Sequence, residues 1–127
     1  MSLKEWIKES NNIVFFGGAG VSTESNIPDF RSDNGLYKKQ YPYPAEVMLS
    51  HSFYESNPKE FFEFYFNQMI YKDAKPNKAH LALAQLEKQG KLKAVITQNI
   101  DGLHQAAGSK TVYELHGSVL RNTCTGC

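Results

Sequence analysis

The amino-acid sequence predicts an α/β fold built on a parallel sheet. Two observations carry that expectation. Short apolar runs of strand type alternate with segments of helical periodicity. A glycine-rich turn directly follows the first of those runs and opens a helix.

The elements follow in order. Ser2 with Glu5 reads as a capping box that opens a short helix containing Trp6 and Ile7. Ile13 to Phe16 is an apolar run between Asn12 and Gly17 and suits a buried strand. After the glycine turn, Pro28 to His51 is polar and aromatic. Pro28, Gly35, Pro42 and Pro44 interrupt it, so it reads as loop. Asn57-Pro58 with Glu60 starts a helix that runs to about Tyr71, with Phe61, Phe62, Tyr65, Phe66, Met69 and Ile70 on its apolar face. Pro76 opens another helix, in which Ala79, Ala82, Leu83 and Leu86 share one face and Gly90 closes the end. Leu92 to Thr97 is a second buried strand, and Val112 to Leu115 a short third. No internal repeat or low-complexity stretch is present.

Bulk properties narrow the function classes. A chain of 127 residues is of single-domain length. Such a chain buries roughly two-thirds of its unfolded surface. With 14 Lys+Arg against 13 Asp+Glu the net charge is +1. That balance excludes a strong electrostatic grip on nucleic acid or on an anionic membrane. No apolar run approaches the roughly 20 residues of a membrane span. Met1 to Asn12 carries Lys4, Glu5, Lys8 and Glu9, too polar for the core of a signal peptide, so a cytoplasmic address is the default expectation. The two cysteines, Cys124 and Cys127, do not make a secreted disulfide scaffold.

The glycine turn is Phe16-Gly17-Gly18-Ala19-Gly20-Val21-Ser22-Thr23. Glycines there let the backbone approach a pyrophosphate, and the helix that follows offers free N–H groups. Gly18, Gly20 and Thr23 match the dinucleotide fingerprint, with Thr in place of its last glycine. A tight strand-to-helix turn with no ligand fits the same residues. A dehydrogenase would place an acidic residue about 20 positions on, at the end of a strand. Leu36-Tyr37-Lys38-Lys39-Gln40 stands there instead, in a loop. A plain dinucleotide-dependent dehydrogenase therefore fits poorly.

Further motifs decide between these readings. Gly18 to Arg31, ending Ser25-Asn26-Ile27-Pro28-Asp29-Phe30-Arg31, resembles the sirtuin signature Gly-Ala-Gly-x-Ser-x-x-Ser-Gly-Ile-Pro-Asp-Phe-Arg. Thr97-Gln98-Asn99-Ile100-Asp101-Gly102-Leu103-His104 and Leu115-His116-Gly117 resemble two further sirtuin segments, in the family's order. Cys124 and Cys127 match the Cys-x-x-Cys that follows. Gly17 stands where many sirtuins have Thr. Asn26 replaces a glycine, and Asn tolerates positive φ better than most residues, so the loop is expected to survive.

The resemblance implies a Rossmann-like parallel sheet, here its N-terminal part, with an inserted small helical and zinc-ribbon module. Residues from about 35 to 75 would be the helical segment of that module, and 124–127 the start of the ribbon. A complete sirtuin continues with a second Cys-x-x-Cys and the other half of the sheet, so this chain is expected to be truncated.

The implied reaction transfers an acyl group from a protein lysine to the ADP-ribose of NAD and releases nicotinamide. The site must exclude water from an oxocarbenium-like centre. His116 is then the base that activates a ribose hydroxyl, a task that suits imidazole. Taken alone, it would read as a hydrogen-bonded turn residue. The resemblance gives Asp101 and Ile100 to the nicotinamide carboxamide, and Gln98 to the ribose hydroxyls. Asn99 goes near the reacting ribose as the second catalytic residue. Without the resemblance, residues 98–101 read equally well as a polar capping loop. Phe30 would cover the reactive face, and Arg31 would contact phosphate or ribose. Gly18, Ala19, Gly20 and Thr23 form the cofactor turn. Asp29 supports it, and His104 is a further structural support. His51 and His80 read as surface or helix residues rather than ligands. The aromatic run from Phe53 to Tyr71 reads as packing, with room for a substrate groove.

Cys124 and Cys127 are half of a zinc site, since structural zinc takes four ligands. Zinc is expected of the complete protein and not of these 127 residues. The implied partners are acyl-lysine proteins, with no specific nucleic acid and no membrane. An exposed sheet edge could also promote self-association. The chain alone is expected to have little or no deacylase activity. The competing readings are a protein ADP-ribosyltransferase, an NAD- or ADP-ribose-binding module without turnover, and an associating fragment.

Overall fold

The computed structural model describes residues 1–38 and 40–127. Lys39, within the stretch expected to be loop, lies outside the described residues. Strands β1 (Ile13–Gly17), β2 (Leu92–Thr97) and β3 (Val112–Glu114) form one parallel sheet in the order β1-β2-β3. Phe16 pairs with Ile96, and Ile96 with Tyr113. The α/β expectation with a parallel sheet holds. The chain leaves the sheet after β1 and returns only at β2, and that long excursion carries most of the helices.

Helix α1 (Leu3–Glu9) begins at the expected capping box, where the Ser2 amide donates to Glu5 Oε2 at 2.6 Å and the Glu5 amide to Ser2 Oγ at 3.3 Å. It buries none of its own residues. Lys91 ties its far end to the sheet, donating from Nζ to the carbonyls of Ile7, Lys8 and Ser10 at 3.0, 2.6 and 3.1 Å. A cation is well placed on the free carbonyls of a helix C-terminus.

The expected buried strand at Ile13–Phe16 is buried on one side only. Val14 and Phe16 are 56% and 61% exposed. Their face continues through Tyr113 and Leu115, also exposed. Side chains alternate across a strand, and α5 (Lys78–Lys88) and α6 (Leu103–Ala106) cover only the opposite face. Helix α5 begins at Lys78 and not at Pro76. Asn77 caps it, accepting from the amides of Ala79 and His80, and donates its own amide to His80 Nδ1 at 3.1 Å. At the other end the Gly90 amide donates to Glu87 O at 2.8 Å and the Lys91 amide to Leu86 O at 3.1 Å. Those two bonds satisfy the last carbonyls, with Gln89 as the cap and Gly90 just beyond it.

The stretch expected to be loop contains α2 (Ala45–Met48), followed by α3 (His51–Ser56) and α4 (Pro58–Gln68). Pro44, read as a breaker, is the cap residue of α2. Proline is well tolerated at a helix start, where its missing N–H costs nothing. Helix α4 stops at Gln68, short of Tyr71. Its inward residue is Phe64, 5% exposed, whereas Phe66 is 61% exposed. Phe64 joins Ala45, Met48 and Phe53 in a core of its own, against which Tyr41, Leu49, Phe61 and Met69 pack. Aromatics surround α4 almost completely, so its periodicity cannot select the buried stripe; α2 and α3 select it.

The glycine turn opens a 3-10 helix, Ala19–Ser25, in place of a regular α-helix. Asn26 ends it in the left-handed region at φ 62°, ψ 26°, with its amide on the Thr23 carbonyl at 3.1 Å. Residues 121–127 form no helix or strand, so the expected zinc ribbon is not formed among the described residues. Among those residues no helix is long and apolar enough to cross a membrane.

Asn26→Ala should lower the unfolding free energy by about 1–2 kcal/mol, the cost of a left-handed residue bearing an ordinary Cβ. Asn26→Gly should stay within about 0.5 kcal/mol of the parent. Urea denaturation of the three proteins checks this, and equal stability for Ala and Gly at this position would contradict it.

Candidate functional site

The strand ends place the site. Gln98 donates its amide to Gly17 O at 3.0 Å, the last backbone bond before β1 and β2 lead into different loops. Ligands of open α/β sheets bind where strand ends diverge in this way. A cavity of about 1040 Å³ opens there. The turn after β1 contributes Ala19 and Gly20 to its wall, and the next loop contributes Asp29, Phe30 and Arg31. Gln98, Asn99, Ile100 and Asp101 come from the loop after β2, and His116 from the turn after β3. Of the cofactor residues expected from sequence, Gly18 and Thr23 do not line it, and neither do Cys124 and Cys127. The Thr23 hydroxyl donates to Gly20 O at 2.9 Å and so shapes the turn from outside.

Ser22, which the sequence reading left without a role, joins the two loops. Its buried hydroxyl donates to Asp101 Oδ2 at 2.6 Å. Asn99 Nδ2 donates to Ser22 Oγ and to Gly18 O, each at 3.1 Å. The Asn99 amide donates to Thr97 Oγ1 at 3.0 Å, and the Leu103 amide to Asp101 Oδ1 at 2.9 Å. Both Asn99 amide hydrogens are thus committed inside the protein, which leaves its carbonyl oxygen for a ligand. One Asp101 oxygen is held from each side of the crevice.

His116 is exposed on the turn that follows β3. That turn is fixed by the Leu115 amide on Thr97 O at 3.0 Å and the Val119 amide on Ile100 O at 3.0 Å. Beneath it Gly102 has φ 73°, and a Cβ there would stand 2.6 Å from Leu120 Cδ1. The exposed Leu120 tip can rotate aside, so it is the positive φ that calls for glycine. Phe30 packs its ring 5.4 Å from that of Tyr37. The Asp29 carboxylate accepts from the Ser32 amide and hydroxyl, so it is committed to its own turn. Gln68 to Lys72 and Ala74 form a further stretch of cavity wall, and Gln68 to Tyr71 belong to the run read from sequence as packing with room for a substrate groove.

Cys124 and Cys127 are exposed. Hydrogen bonding from the Cys127 thiol lowers the pKa of Cys124 and raises that of Cys127. Among the described residues no cluster of three or more His, Cys, Asp or Glu side chains could hold a metal ion.

Two histidines lie buried behind the Asp101 loop. His80 and His104 are 0% and 1% exposed, with ring centroids 4.8 Å apart. The sequence pattern placed His80 on a helix, which is correct, but gave no sign of its burial. Its one signal was the Asn77-x-x-His80 spacing of a helix cap. Burial pushes both imidazoles below their ordinary range, His80 further opposes protonation of His104, and Asp101 pulls both back without prevailing. The unfolded chain therefore takes up protons near pH 6.5 that the folded chain refuses. Stability should be full above that pH and fall as pH drops toward the lower folded values. The slope per histidine is at most about 1.4 kcal/mol per pH unit. Urea denaturation between pH 7.5 and 5.5 should show this loss, and His104→Leu should reduce the slope. A flat profile would contradict the buried neutral pair.

Comparison with known proteins gives this geometry a family. The Sir2 family model matches residues 18–127. An NAD-dependent protein deacetylase of Clostridium acetobutylicum is 68% identical across 98% of this chain and 52% of its own length. That of Clostridium tetani is 70% identical across 99% of this chain and 52% of its own. The chain spans about half the length of these curated relatives. Among solved structures, a Sir2–p53 peptide–NAD+ complex is 46% identical, with TM-score 0.80, over 100% of this chain and 50% of that one. A mutant Sir2 homologue bound to ADP-ribose is 41% identical, with TM-score 0.86, over 100% of this chain and 51% of that one. On the family match and on motifs gathered at one crevice, the chain belongs to the Sir2 family.

Proposed function

We propose that this chain carries the nicotinamide and ribose end of the cofactor site, and the base, of an NAD-dependent protein-lysine deacetylase. One observation carries the reading. Residues far apart in sequence, from Ala19 through Arg31 and Asp101 to His116, line a single cavity. Its polar groups fit NAD: a carboxylate and an amide oxygen accept from a carboxamide and hydroxyls, and a guanidinium donates to phosphate. Its volume is at the upper end of the range for small-molecule sites.

Bound there, NAD supplies the ADP-ribosyl acceptor for the acyl group and the nicotinamide leaving group. Asp101, held by Ser22 and the Leu103 amide, presents a fixed carboxylate to the nicotinamide amide beside Ile100. Gln98 and the Asn99 carbonyl oxygen orient the ribose. Arg31 contacts phosphate or ribose. Gly18, Ala19, Gly20 and Thr23 shape the turn under the phosphates, and Asp29 braces it. Phe30 covers the reactive face and keeps water and released nicotinamide away. His116 accepts the proton of a ribose hydroxyl. Residues from about 35 to 75 serve as the small helical module, with its own aromatic core. Cys124 and Cys127 supply two of the four ligands of a structural zinc, and no third stands near them among the described residues. They do not fit zinc within this chain, and zinc has no part in the reading.

Calorimetric titration with ADP-ribose tests the site. The chain should bind it, and Asp101→Asn should weaken NAD binding more than ADP-ribose binding, because only NAD carries the carboxamide. The 127-residue chain should release little or no nicotinamide with an acetyl-lysine peptide. Absence of binding to both nucleotides would sink the reading. So would equal losses for NAD and ADP-ribose.

A further inference from the structure

Gly35 lines neither the large cavity nor the smaller one beside Asp29. We propose that Gly35 is a positioning residue that fixes Phe30 and Arg31 in the cofactor cavity, through contact of its own backbone with the peptide joining them. The consequence for ligand binding rests on the functional reading above; the geometry does not.

The loop from Asp29 to Tyr37 is closed by its own backbone. The Leu36 amide donates to Asp29 O at 2.9 Å and the Tyr37 amide to Phe30 O at 2.8 Å. Inside that closure the Gly35 amide donates to Ser32 O at 2.8 Å, and Asp29 takes the Ser32 amide and hydroxyl. Leu36 is buried, and the Tyr37 ring packs on Phe30, so the far side of the loop is anchored. Closure this tight lays Gly35 directly on the peptide between Phe30 and Arg31. A Cβ at position 35 would stand 2.7 Å from both Phe30 C and Phe30 O, and 2.8 Å from Arg31 N. Real Cβ atoms do not approach so closely, and backbone atoms cannot rotate aside as a side-chain tip can.

Gly35 does not have the positive φ of Gly102, so the requirement is for space and not for conformation. Any side chain at 35 must move one wall of the contact. The burial of Leu36 opposes movement of the Gly35 wall, and the two closing bonds tie that wall to the Phe30 side, so displacement is passed across the loop. The Phe30–Arg31 peptide yields instead, and the residues on either side of it both line the cavity. A shift of about 1 Å in a positioning group can cost on the order of a hundredfold in function.

Gly35→Ala should weaken ADP-ribose binding by about tenfold or more, while Asp33→Ala, on the exposed tip of the same loop, should leave it unchanged. In a Phe30→Ala, Arg31→Ala background Gly35→Ala should have no further effect, which a general loss of structure would not reproduce. Amide NMR spectra should show Phe30, Arg31 and Ser32 displaced in Gly35→Ala, with α5 and β2 unchanged. Parent-like binding, an undiminished effect in the double-alanine background, or unshifted Phe30 and Arg31 amides would each overturn the proposal. If the parent chain binds no nucleotide the functional reading fails, and the amide shifts still decide the role of Gly35. If Gly35→Ala does not fold, a Gly35 Hα to Arg31 amide NOE in the parent decides instead. Its presence supports the contact, and its absence overturns it.

Discussion

A single buried hydroxyl holds the candidate site together. Ser22 lies on the turn after β1, and Asp101 and Asn99 on the loop after β2. The bond from Ser22 to Asp101 at 2.6 Å and that from Asn99 to Ser22 at 3.1 Å cross the gap where the two strands part. Together with the Asn99 bond to Gly18 O at 3.1 Å, they keep the two walls of the crevice from moving independently. With them, a carboxylate and an amide oxygen keep one orientation relative to the glycine turn. Buried polar groups are costly unless paired, and here each pairing also sets a direction toward the cavity.

The support continues behind that cluster. His80 and His104 sit under the Asp101 loop as neutral rings, one capped by the Asn77 amide and the other packed near Phe15. Glu87 at the end of α5 accepts the amides of Lys110 and Thr111 at 2.8 and 2.9 Å, fixing where β3 begins. Partial burial pushes the Glu87 carboxyl up, and those amide bonds outweigh it and hold it below the usual range. The short β3 then delivers His116 to the rim. Each link is a polar group spent on geometry, so the positions of Asp101 and His116 depend on residues that touch no ligand.

Much of this was legible in the sequence, for a physical reason. The glycine turn, the Gln98 to Asp101 segment and His116 are local motifs that were legible through the family resemblance they carry together, while each alone also fitted a plain turn or cap. The sheet and the capping box of α1 were equally local. What escaped notice depends on contacts distant in sequence. Ser22 stood in the signature, but its partner lies 79 residues away. The burial of His80 follows from α6 packing on α5, and Phe64 is selected by α2 and α3. The exposed face of β1 could not be read from four apolar residues, because the pattern does not say how many layers cover a strand. Helix α2 was missed because proline both stops and starts helices, and only the residues after Pro44 show which it does.

The most direct test of this account is a double-mutant cycle on Ser22→Ala and Asp101→Asn, read as stability by urea denaturation. If the bond between them joins the two loops, the effects of the single substitutions should not add. The coupling should be about 1–3 kcal/mol, as for a buried hydrogen bond to a charged group. Additive effects, with coupling below about 0.5 kcal/mol, would show that the two walls stand without each other and would contradict the account.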